Sequence, residues 1–383
     1  MRAGLILPSF PWDSLSPFAL RARAHPDGIV DLSVGSPVDS TPAVVREALA
    51  AASDAHAYPQ TAGSEQLCAA IAGWFDRRRG VSGLTPHEVM PTIGSKELIA
   101  GLALWLGLGP ADVVVQPRLA YPTYAVGAAL AGCTVHTGDD PARWPASTGL
   151  IWLNSPGNPD GRVLGIDELR GAVERARELG AVIVSDECYA ELAWEAESTM
   201  SILDDRITDG DRRGVLAVYS LSKQSNLAGY RAGLIAGGAE VVGEILAVRR
   251  NLGLIPPAPV QAAMVAALSD DRHVAVQKEV YRRRRARLAP ALGAAGFRID
   301  SSEAGLYLWA SRGEDAWKTV SALAEVGILV VPGTFYGEDN SRHVRVALTA
   351  TDERIEAAVA RLETLSNKTG DVLADVTVDP QAN

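Results

Sequence analysis

The chain has 383 residues, of which 47% are hydrophobic and 21% are charged, and its formal net charge is −10. This composition is globular, and the length suffices for a large core divided between two lobes. Nucleic acid is disfavoured as a partner, because the chain is acidic overall and has no basic run longer than Arg282–Arg285. No apolar stretch approaches the roughly 20 residues of a membrane span, so no membrane partner is expected.

The three cysteines are far apart in the sequence and odd in number. They fit neither a disulfide framework nor a zinc site, so we expect no metal and a reducing compartment. The first residues, MRAGLILPSFPWD, contain too short an apolar run and too early a proline for a signal peptide. A cytoplasmic location is therefore predicted.

Helical and strand patterns alternate from Thr41 onward. Thr41 and Pro42 have the residue types of an N-cap and a first helical position, and Ser64 and Gly80 are expected to bracket the next helix. The segment SKELIAGLALWLGLG is apolar nearly all round, which predicts a buried helix. Continuous apolar runs, typical of strands buried on both faces, then follow in DVVVQP, GLIWLNSP, AVIVSDE, GVLAVYSLS and AGLIAGG.

Helical segments such as IDELRGAVERARELG separate several of these strands. The pattern predicts an α/β fold, with a three-layer α/β/α large domain at residues 41–255 built around a mostly parallel sheet. Mixed strands and helices after Ile255 predict a smaller α+β domain, formed by residues 1–40 and 256–366. Residues 367–383 lose helical periodicity, so we predict a flexible tail there.

Polar residues end three of the predicted strands: Asn154, Asp186, and Ser220 with Lys223. Ligands of open α/β sheets bind outside the carboxyl ends of the strands. A single polar residue at such a position is more often a turn or helix cap. The combination is more informative, because it contains the groups that one cofactor, pyridoxal phosphate, requires.

Pyridoxal phosphate needs an amine to form a carbon–nitrogen double bond with its aldehyde, and a carboxylate beside its ring nitrogen. Lys223 would supply the amine and Asp186 the carboxylate. The phosphate needs charged or polar donors, and a helix beginning at Gly94 would add N–H groups and the positive end of its dipole. The candidate phosphate ligands are Ser95, Lys96, Ser220, Ser222 and Arg231.

These motifs, in this order, resemble the class I and II (fold type I) pyridoxal-phosphate aminotransferases. SLSKQSNLAGYRAG is similar to the family's lysine signature, NSPGNPDG to its asparagine–proline loop, and SDECYAEL to its aspartate–tyrosine segment. The resemblance extends from LSVGSP to HVRVAL, nearly the whole chain. It implies that Lys223 is joined to the cofactor and that Asp186 pairs with the ring nitrogen.

The resemblance also implies further cofactor ligands. Asn158 and Tyr189 would hydrogen-bond the phenolic oxygen of the ring, and Tyr121 would stack on its face. Tyr58 would reach the phosphate of a neighbouring subunit's cofactor. The active form would therefore be a homodimer with active sites at the subunit interface.

The resemblance also implies three substrate-binding residues. Arg345 would hold the α-carboxylate, and Asn158 and the backbone of Gly35 would lie next to the substrate. Lys223 would take the proton from the substrate Cα and return it to the cofactor, and an amino acid and a 2-oxo acid would react in turn by a ping-pong mechanism.

Gln224, Ser225 and Asn226 follow Lys223, where the family more often has a small or hydroxyl residue and an aromatic. With PWDSL, HPDGIVDLSVGSPVD and AYPTYAVGAALAG, this stretch resembles the N-succinyldiaminopimelate aminotransferases of lysine biosynthesis. The resemblance implies N-succinyl-LL-2,6-diaminopimelate and 2-oxoglutarate or glutamate as substrates. Lys96 and Arg118 are candidates for binding its distal carboxylates.

Three other functions stay open from the sequence. One is an aminotransferase for aspartate, alanine or an aromatic amino acid, and another is a carbon–sulfur β-lyase with the same cofactor frame. The third, the cofactor-sensing part of a transcription regulator, is disfavoured because no basic helix-turn-helix pattern precedes LSVGSP.

Overall fold

The computed structural model describes Leu7, residues 11–196 and residues 198–374, with side chains up to Leu365. The strands are β1 Val30–Asp31, β2 Val89–Ile93, β3 Val113–Gln116, β4 Thr134–Thr137, β5 Thr148–Asn154, β6 Val182–Asp186, β7 Val215–Ser220, β8 Ala232–Gly237, β9 Arg298–Asp300, β10 Tyr307–Ser311, β11 Ile328–Leu329, β12 Val331–Pro332 and β13 Val344–Ala347. The α-helices are α1 Ser16–Arg23, α2 Ala43–Ala51, α3 Glu65–Arg79, α4 Ser95–Trp105, α5 Thr123–Ala131, α6 Ile166–Leu179, α7 Asp205–Thr208, α8 Leu221–Gln224, α9 Ala239–Leu252, α10 Ala258–Ser269, α11 Asp271–Ala294, α12 Ala316–Glu325 and α13 Asp352–Ala374. Short 3₁₀ helices span Pro11–Leu15, Pro141–Arg143, Ala190–Leu192, Ala228–Tyr230, Gly333–Tyr336 and Glu338–Asn340.

The described residues form two compact units. The first comprises Ser36–Glu279 and Glu303–Gly305, and the second comprises residues 11–35, Val280–Ser302 and residues 306–374.

The first unit is built on a seven-stranded sheet in the order β2-β8-β7-β6-β5-β3-β4. Strand β8 runs antiparallel to both of its neighbours, and the other pairings are parallel. The prediction of a mostly parallel sheet in an α/β fold is confirmed.

Both faces of this sheet are buried, which explains the continuous apolar runs in the sequence. Val114 and Val184 pack into a core with α4, α5 and α9, whereas Val115 and Ile183 pack into a second core with α3, α6 and α10. The prediction of a fully buried α4 is wrong in one respect, since Leu104 on its outer side is 53% exposed.

The helix ends follow the residue types found there. Ser64 Oγ accepts a hydrogen bond from Leu67 N at 3.1 Å, and Gly80 closes α3 with φ of 64°, a left-handed conformation that favours glycine. Helix α2 begins one residue later than predicted, because Pro42 takes the cap position and Ala43 is the first helical residue.

The second unit contains a four-stranded sheet in the order β12-β13-β10-β9 and a separate parallel pair, β1 with β11. The four-stranded sheet is antiparallel throughout. Register places Arg345 on β13 opposite Trp309 on β10. The mixed strands and helices predicted after Ile255 are therefore present, and they include α12 and α13.

The division between the units differs from the predicted boundaries at residues 41 and 255. It falls near Ser36 and near Glu279, within α11. The physical reason is tertiary packing: Met264 and Leu268 of α10 are fully buried in the core that also holds α3. The predicted tail at residues 367–383 begins inside α13, and residues 375–383 lie outside the described residues, as do residues 1–6 and 8–10.

Within the described ranges, no helix combines the length and the apolar character that crossing a bilayer requires. The same ranges contain no group of three or more histidine, cysteine or acidic side chains that could hold a metal ion.

Candidate active site

The carboxyl ends of β5, β6 and β7 meet at one edge of the large sheet, as the sequence predicted. Asn154 is the pairing partner of Asp186, which in turn pairs with Val218 on β7. Ser220 ends β7, and Lys223 follows in α8. Parallel pairing thus places the predicted amine and the predicted carboxylate on neighbouring strand ends.

Asp186 is a buried carboxylate, 6% exposed. Its Oδ2 accepts from Tyr124 Oη at 2.9 Å and its Oδ1 from Cys188 N at 3.2 Å. Burial raises the pKa of Asp186, and these hydrogen bonds oppose that rise. Among the described residues Asp186 has no ion-pair partner, so a cationic N–H donor fits this position, as the protonated ring nitrogen of pyridoxal phosphate would.

Tyr124 is a site residue that the sequence reasoning missed. It is completely buried, stacks on Trp152 with ring centroids 4.9 Å apart, and meets Tyr121 edge-on at 5.8 Å. The available signal was the second tyrosine of YPTY, which lies three residues after Tyr121 and just inside α5. The predicted stacking residue, Tyr121, is therefore held beside the partner of Asp186.

Tyr124→Phe is expected to weaken cofactor binding, because Asp186 loses a donor while the stacking on Trp152 remains. A hydrogen bond to a charged group contributes about 1.5–3 kcal/mol, so the dissociation constant should rise roughly tenfold or more. Absorbance titration of the cofactor-free protein measures this. In an Asp186→Asn background the same substitution should have a much smaller effect, and full additivity would contradict the assignment.

Lys223 is half-buried in the single turn of α8. Cys188 connects this region with the start of α4, since its Sγ lies 3.5 Å from Ser95 Oγ. Burial and the Asp186 charge raise the pKa of the Cys188 thiol well above its usual value, while the Ser95 hydrogen bond and the Lys223 charge act in the opposite direction. Through Cys188, the end of β6 is therefore in contact with the start of α4.

The predicted phosphate ligands form a second group at this edge. Ser220 Oγ accepts from Ser222 N at 3.2 Å and lies 2.9 Å from Ser222 Oγ. Arg231 lies against the N-terminus of α4, since a Cβ on Gly94 would be only 2.4 Å from Arg231 Nη2. Hydroxyls, a guanidinium and helical N–H groups are the donor set that a dianionic phosphate prefers, so these residues fit the cofactor.

Asn158 and Tyr189 are both buried beside the end of β6. Asn158 N donates to Asn154 Oδ1 at 2.8 Å, and Asn154 Nδ2 donates to Asp186 O at 2.9 Å. Asn154 therefore fixes the loop that carries Asn158 to the strand that carries Asp186. Tyr189 follows three residues after Asp186 and immediately precedes the 3₁₀ helix Ala190–Leu192.

Two ion pairs behind this segment, one fully and one partly buried, were also missed from the sequence. Arg79 Nη2 contacts Glu187 Oε2 at 2.8 Å, and Arg78 Nη2 contacts Glu191 Oε2 at 2.6 Å. Glu187 Oε1 also accepts from Ile202 N at 2.8 Å. The basic end of α3 therefore anchors the residues on either side of Tyr189.

Glu187→Ala is expected to lower the free energy of unfolding by about 3–5 kcal/mol, because it leaves the fully buried Arg79 guanidinium without its carboxylate. The urea midpoint of the cofactor-free protein measures the change. Glu356→Ala, at the exposed pair with Arg287, is the matched control and should shift the midpoint little. Equal shifts would rule out the anchoring role.

Three predicted residues are not enclosed with Asp186, Lys223 and the phosphate ligands in the single chain. Tyr58 is 98% exposed. Lys96 and Arg118 are also exposed, so neither is enclosed by the first unit. Their predicted roles remain proposals.

Arg345 and Gly35, the predicted carboxylate-binding pair, lie together in the second unit. Arg345 is 3% exposed, and its Nη2 donates to Ser33 O at 2.7 Å. Its guanidinium carbon lies 3.9 Å from the centre of the Tyr307 ring and 5.1 Å from that of Tyr336. Gly35 packs on the same ring, since a Cβ there would lie 1.9 Å from Tyr307 Oη.

Known proteins share the fold of this chain and much of its sequence. The family model of class I and II aminotransferases matches residues 27–362. A protein named a probable aminotransferase, from Mycobacterium tuberculosis, is 58% identical over 93% of this chain and 85% of its own length. The 4-dedimethylamino-4-oxo-anhydrotetracycline transaminase of Streptomyces rimosus is 54% identical over 93% of this chain and 99% of its own.

Among solved structures, the N-succinyldiaminopimelate aminotransferase of M. tuberculosis superposes with a TM-score of 0.84 at 27% identity, covering 95% of this chain and 100% of that one. The match of the family model over most of the chain, and the two relatives above half identity, show the family. The chain belongs to the class I and II aminotransferases, which depend on pyridoxal phosphate and act on amino acids and 2-oxo acids.

Proposed function

We propose that this aminotransferase uses Lys223 as its reactive amine and Asp186 as the partner of the ring nitrogen. The observation that carries these roles is the buried Asp186 carboxylate, which has hydrogen-bond donors but no ion-pair partner among the described residues. The proposed phosphate ligands are Ser95, Lys96, Ser220, Ser222 and Arg231.

When bound, pyridoxal phosphate supplies an aldehyde for amines and a ring that withdraws electrons from the substrate Cα. Lys223 Nζ would act as base and acid, taking the proton from the substrate Cα and returning it to the cofactor. Asp186 would pair with the ring nitrogen, and Asn158 and Tyr189 would donate hydrogen bonds to the phenolic oxygen. Tyr121 would cover one face of the ring and exclude water there.

Arg345 is proposed to hold the substrate carboxylate. Its buried guanidinium is supported by Ser33 O and the Tyr307 ring, so its orientation is fixed before a ligand arrives. A planar guanidinium can bind both oxygens of a carboxylate, which sets the orientation of the bonds at the neighbouring carbon. Gly35 contributes backbone beside it, since a side chain there would displace Tyr307.

For the substrate we propose N-succinyl-LL-2,6-diaminopimelate, with 2-oxoglutarate or glutamate as the exchange partner, as in diaminopimelate and lysine biosynthesis. The support is the QSN stretch after Lys223 and the likeness to the M. tuberculosis enzyme of that name. A second candidate is a ketone or amine on a polycyclic ring. This second candidate is favoured by sequence identity, which is 54% to the Streptomyces rimosus transaminase and 27% to the M. tuberculosis N-succinyldiaminopimelate aminotransferase.

The active form is proposed to be a cytoplasmic homodimer in which Tyr58 reaches the cofactor phosphate of the partner subunit. The exposure of Tyr58 in the single chain supports this role, because a phenol at 98% exposure is free to contact another copy. Tyr58→Phe should weaken cofactor binding if the proposal holds.

A panel of amino donors tests the substrate assignment. Purified protein loaded with pyridoxal phosphate is mixed with each donor in turn, and the loss of the cofactor's visible absorbance is followed without an acceptor. N-succinyl-diaminopimelate should react faster than aspartate, alanine or aromatic amino acids. A faster reaction with a polycyclic amine would select the second candidate, and pyruvate with ammonia released without an acceptor would show a β-lyase.

A further inference from the structure

The residues that follow Lys223 form a continuous chain of hydrogen bonds to α11. Tyr219 Oη donates to Gln224 Oε1 at 2.6 Å, and Gln224 Nε2 donates to Ser225 Oγ at 3.1 Å. Ser225 Oγ lies 2.7 Å from His273 Nε2, and His273 Nδ1 lies 3.0 Å from Asp270 Oδ2. The QSN stretch that departs from the commoner family pattern is thus part of one network.

The network has a definite direction. The Asp270 carboxylate can only accept, so the proton on the imidazole lies on His273 Nδ1. Nε2 then accepts, and the hydroxyl proton of Ser225 points toward it. Ser225 Oγ is left to accept from Gln224. Each donor therefore has an acceptor, from Tyr219 through to Asp270.

Asn226 provides a second attachment to the same helix. Its Nδ2 donates to Gln277 Oε1 at 2.8 Å, and Gln277 Nε2 donates to Asp39 Oδ2 at 2.9 Å. His273 and Gln277 are four residues apart, so they lie on the same side of α11. Asn226 also has φ of 55°, a left-handed conformation in which asparagine is among the least strained residues.

Ser225, His273 and Asp270 have the order of a hydrolytic triad, but burial favours a different role. Ser225 is 0% exposed, so an ester or peptide carbonyl has no route to its Oγ. The serine instead accepts from its chain neighbour Gln224, next to Lys223. This arrangement fixes backbone rather than attacking a substrate.

We propose that His273 and Gln277 are positioning residues for Lys223. Helix α8 has four residues, and a single helical turn gains little stability by itself. Lys223 sits in this turn, and the next three residues are each tied by their side chains, two of them to α11. The inference rests on the proposed role of Lys223 as the reactive amine.

His273→Leu and Gln277→Leu test the proposal, with His273→Gln as the conservative variant. Leucine keeps the bulk but removes the bond to Ser225 or Asn226, whereas glutamine at residue 273 restores an acceptor for Ser225. In both leucine variants kcat should fall about tenfold to a hundredfold with KM little changed, and His273→Gln should recover much of the loss. Val276→Ala, on the exposed side of α11, is the matched control.

Two measurements other than turnover report directly on Lys223. Hydrogen exchange of residues 221–227 in the cofactor-free protein should be faster in the leucine variants. Borohydride reduction of the loaded protein, followed by mass spectrometry, should show less cofactor attached to Lys223.

The outcomes separate this inference from the proposed function. Unchanged exchange, attachment and kcat in both leucine variants would overturn the positioning role while leaving Lys223 in place. Equal losses in His273→Gln and His273→Leu would also overturn it for His273. Cofactor attachment at another lysine in the wild-type protein would overturn the proposed function instead.

Discussion

Replacing Lys223 by alanine is expected to leave a folded protein that binds pyridoxal phosphate noncovalently and has negligible turnover. The phosphate donors and Asp186 remain, so binding persists. Loss of proton transfer at one atom alone removes about 10²–10⁴-fold in rate, and the covalent attachment is lost as well.

Turnover and the visible absorbance of the loaded variant check this prediction together. The absorbance of the lysine-linked cofactor should be missing, while equilibrium dialysis still detects bound cofactor. Lys318→Ala, at an exposed lysine on α12, should behave as wild type. Normal turnover in Lys223→Ala would remove the central assignment of the site.

Arg345→Ala is expected to reduce kcat/KM for amino acids while leaving the absorbance of the bound cofactor intact. Removing one partner of a buried, hydrogen-bonded charge pair costs about 2–5 kcal/mol, which corresponds to a loss of roughly 30-fold or more in kcat/KM. The loss should appear mainly in KM, because the carboxylate is held in both ground and transition states.

Two further variants test whether the loss of kcat/KM comes from the planar guanidinium of Arg345. Arg345→Lys keeps the charge but not the planar fork, so it should recover only part of the loss. Arg342→Ala removes an exposed arginine from the segment before β13 and should have little effect. If Arg345→Ala instead loses the cofactor, then Arg345 does not act on the substrate carboxylate.

The strands of the large domain and the polar residues that end them were predictable, because both are local in sequence. Asp186 and Lys223 each follow an apolar run, so the sequence shows both the strand and the functional group that ends it. The domain boundary was not predictable in the same way. Helix α10 is apolar over most of its length, and only packing against α3 decides which core receives it.

The missed site residues share a physical cause. Tyr124 and Arg79 act through partners 62 and 108 residues away in the chain, so neither pairing leaves a local pattern. Arg345 was identified only through the family resemblance, since an arginine within a strand has no distinctive spacing. The residues after Lys223 were recognised as unusual, but their partners on α11 became visible only in the fold.

With the proposed role of Arg345, the contact between Gly35 and Tyr307 would restrict how mutagenesis can change the substrate range. A Cβ at residue 35 would lie 1.9 Å from the Tyr307 hydroxyl oxygen and 2.7 Å from the ring carbon that bears it. Removing the hydroxyl alone therefore does not make enough room, and removing the ring deprives Arg345 of its stacking partner. A library that randomises position 35 alone should return glycine, and productive variants should carry compensating changes at positions 35, 307 and 345 together.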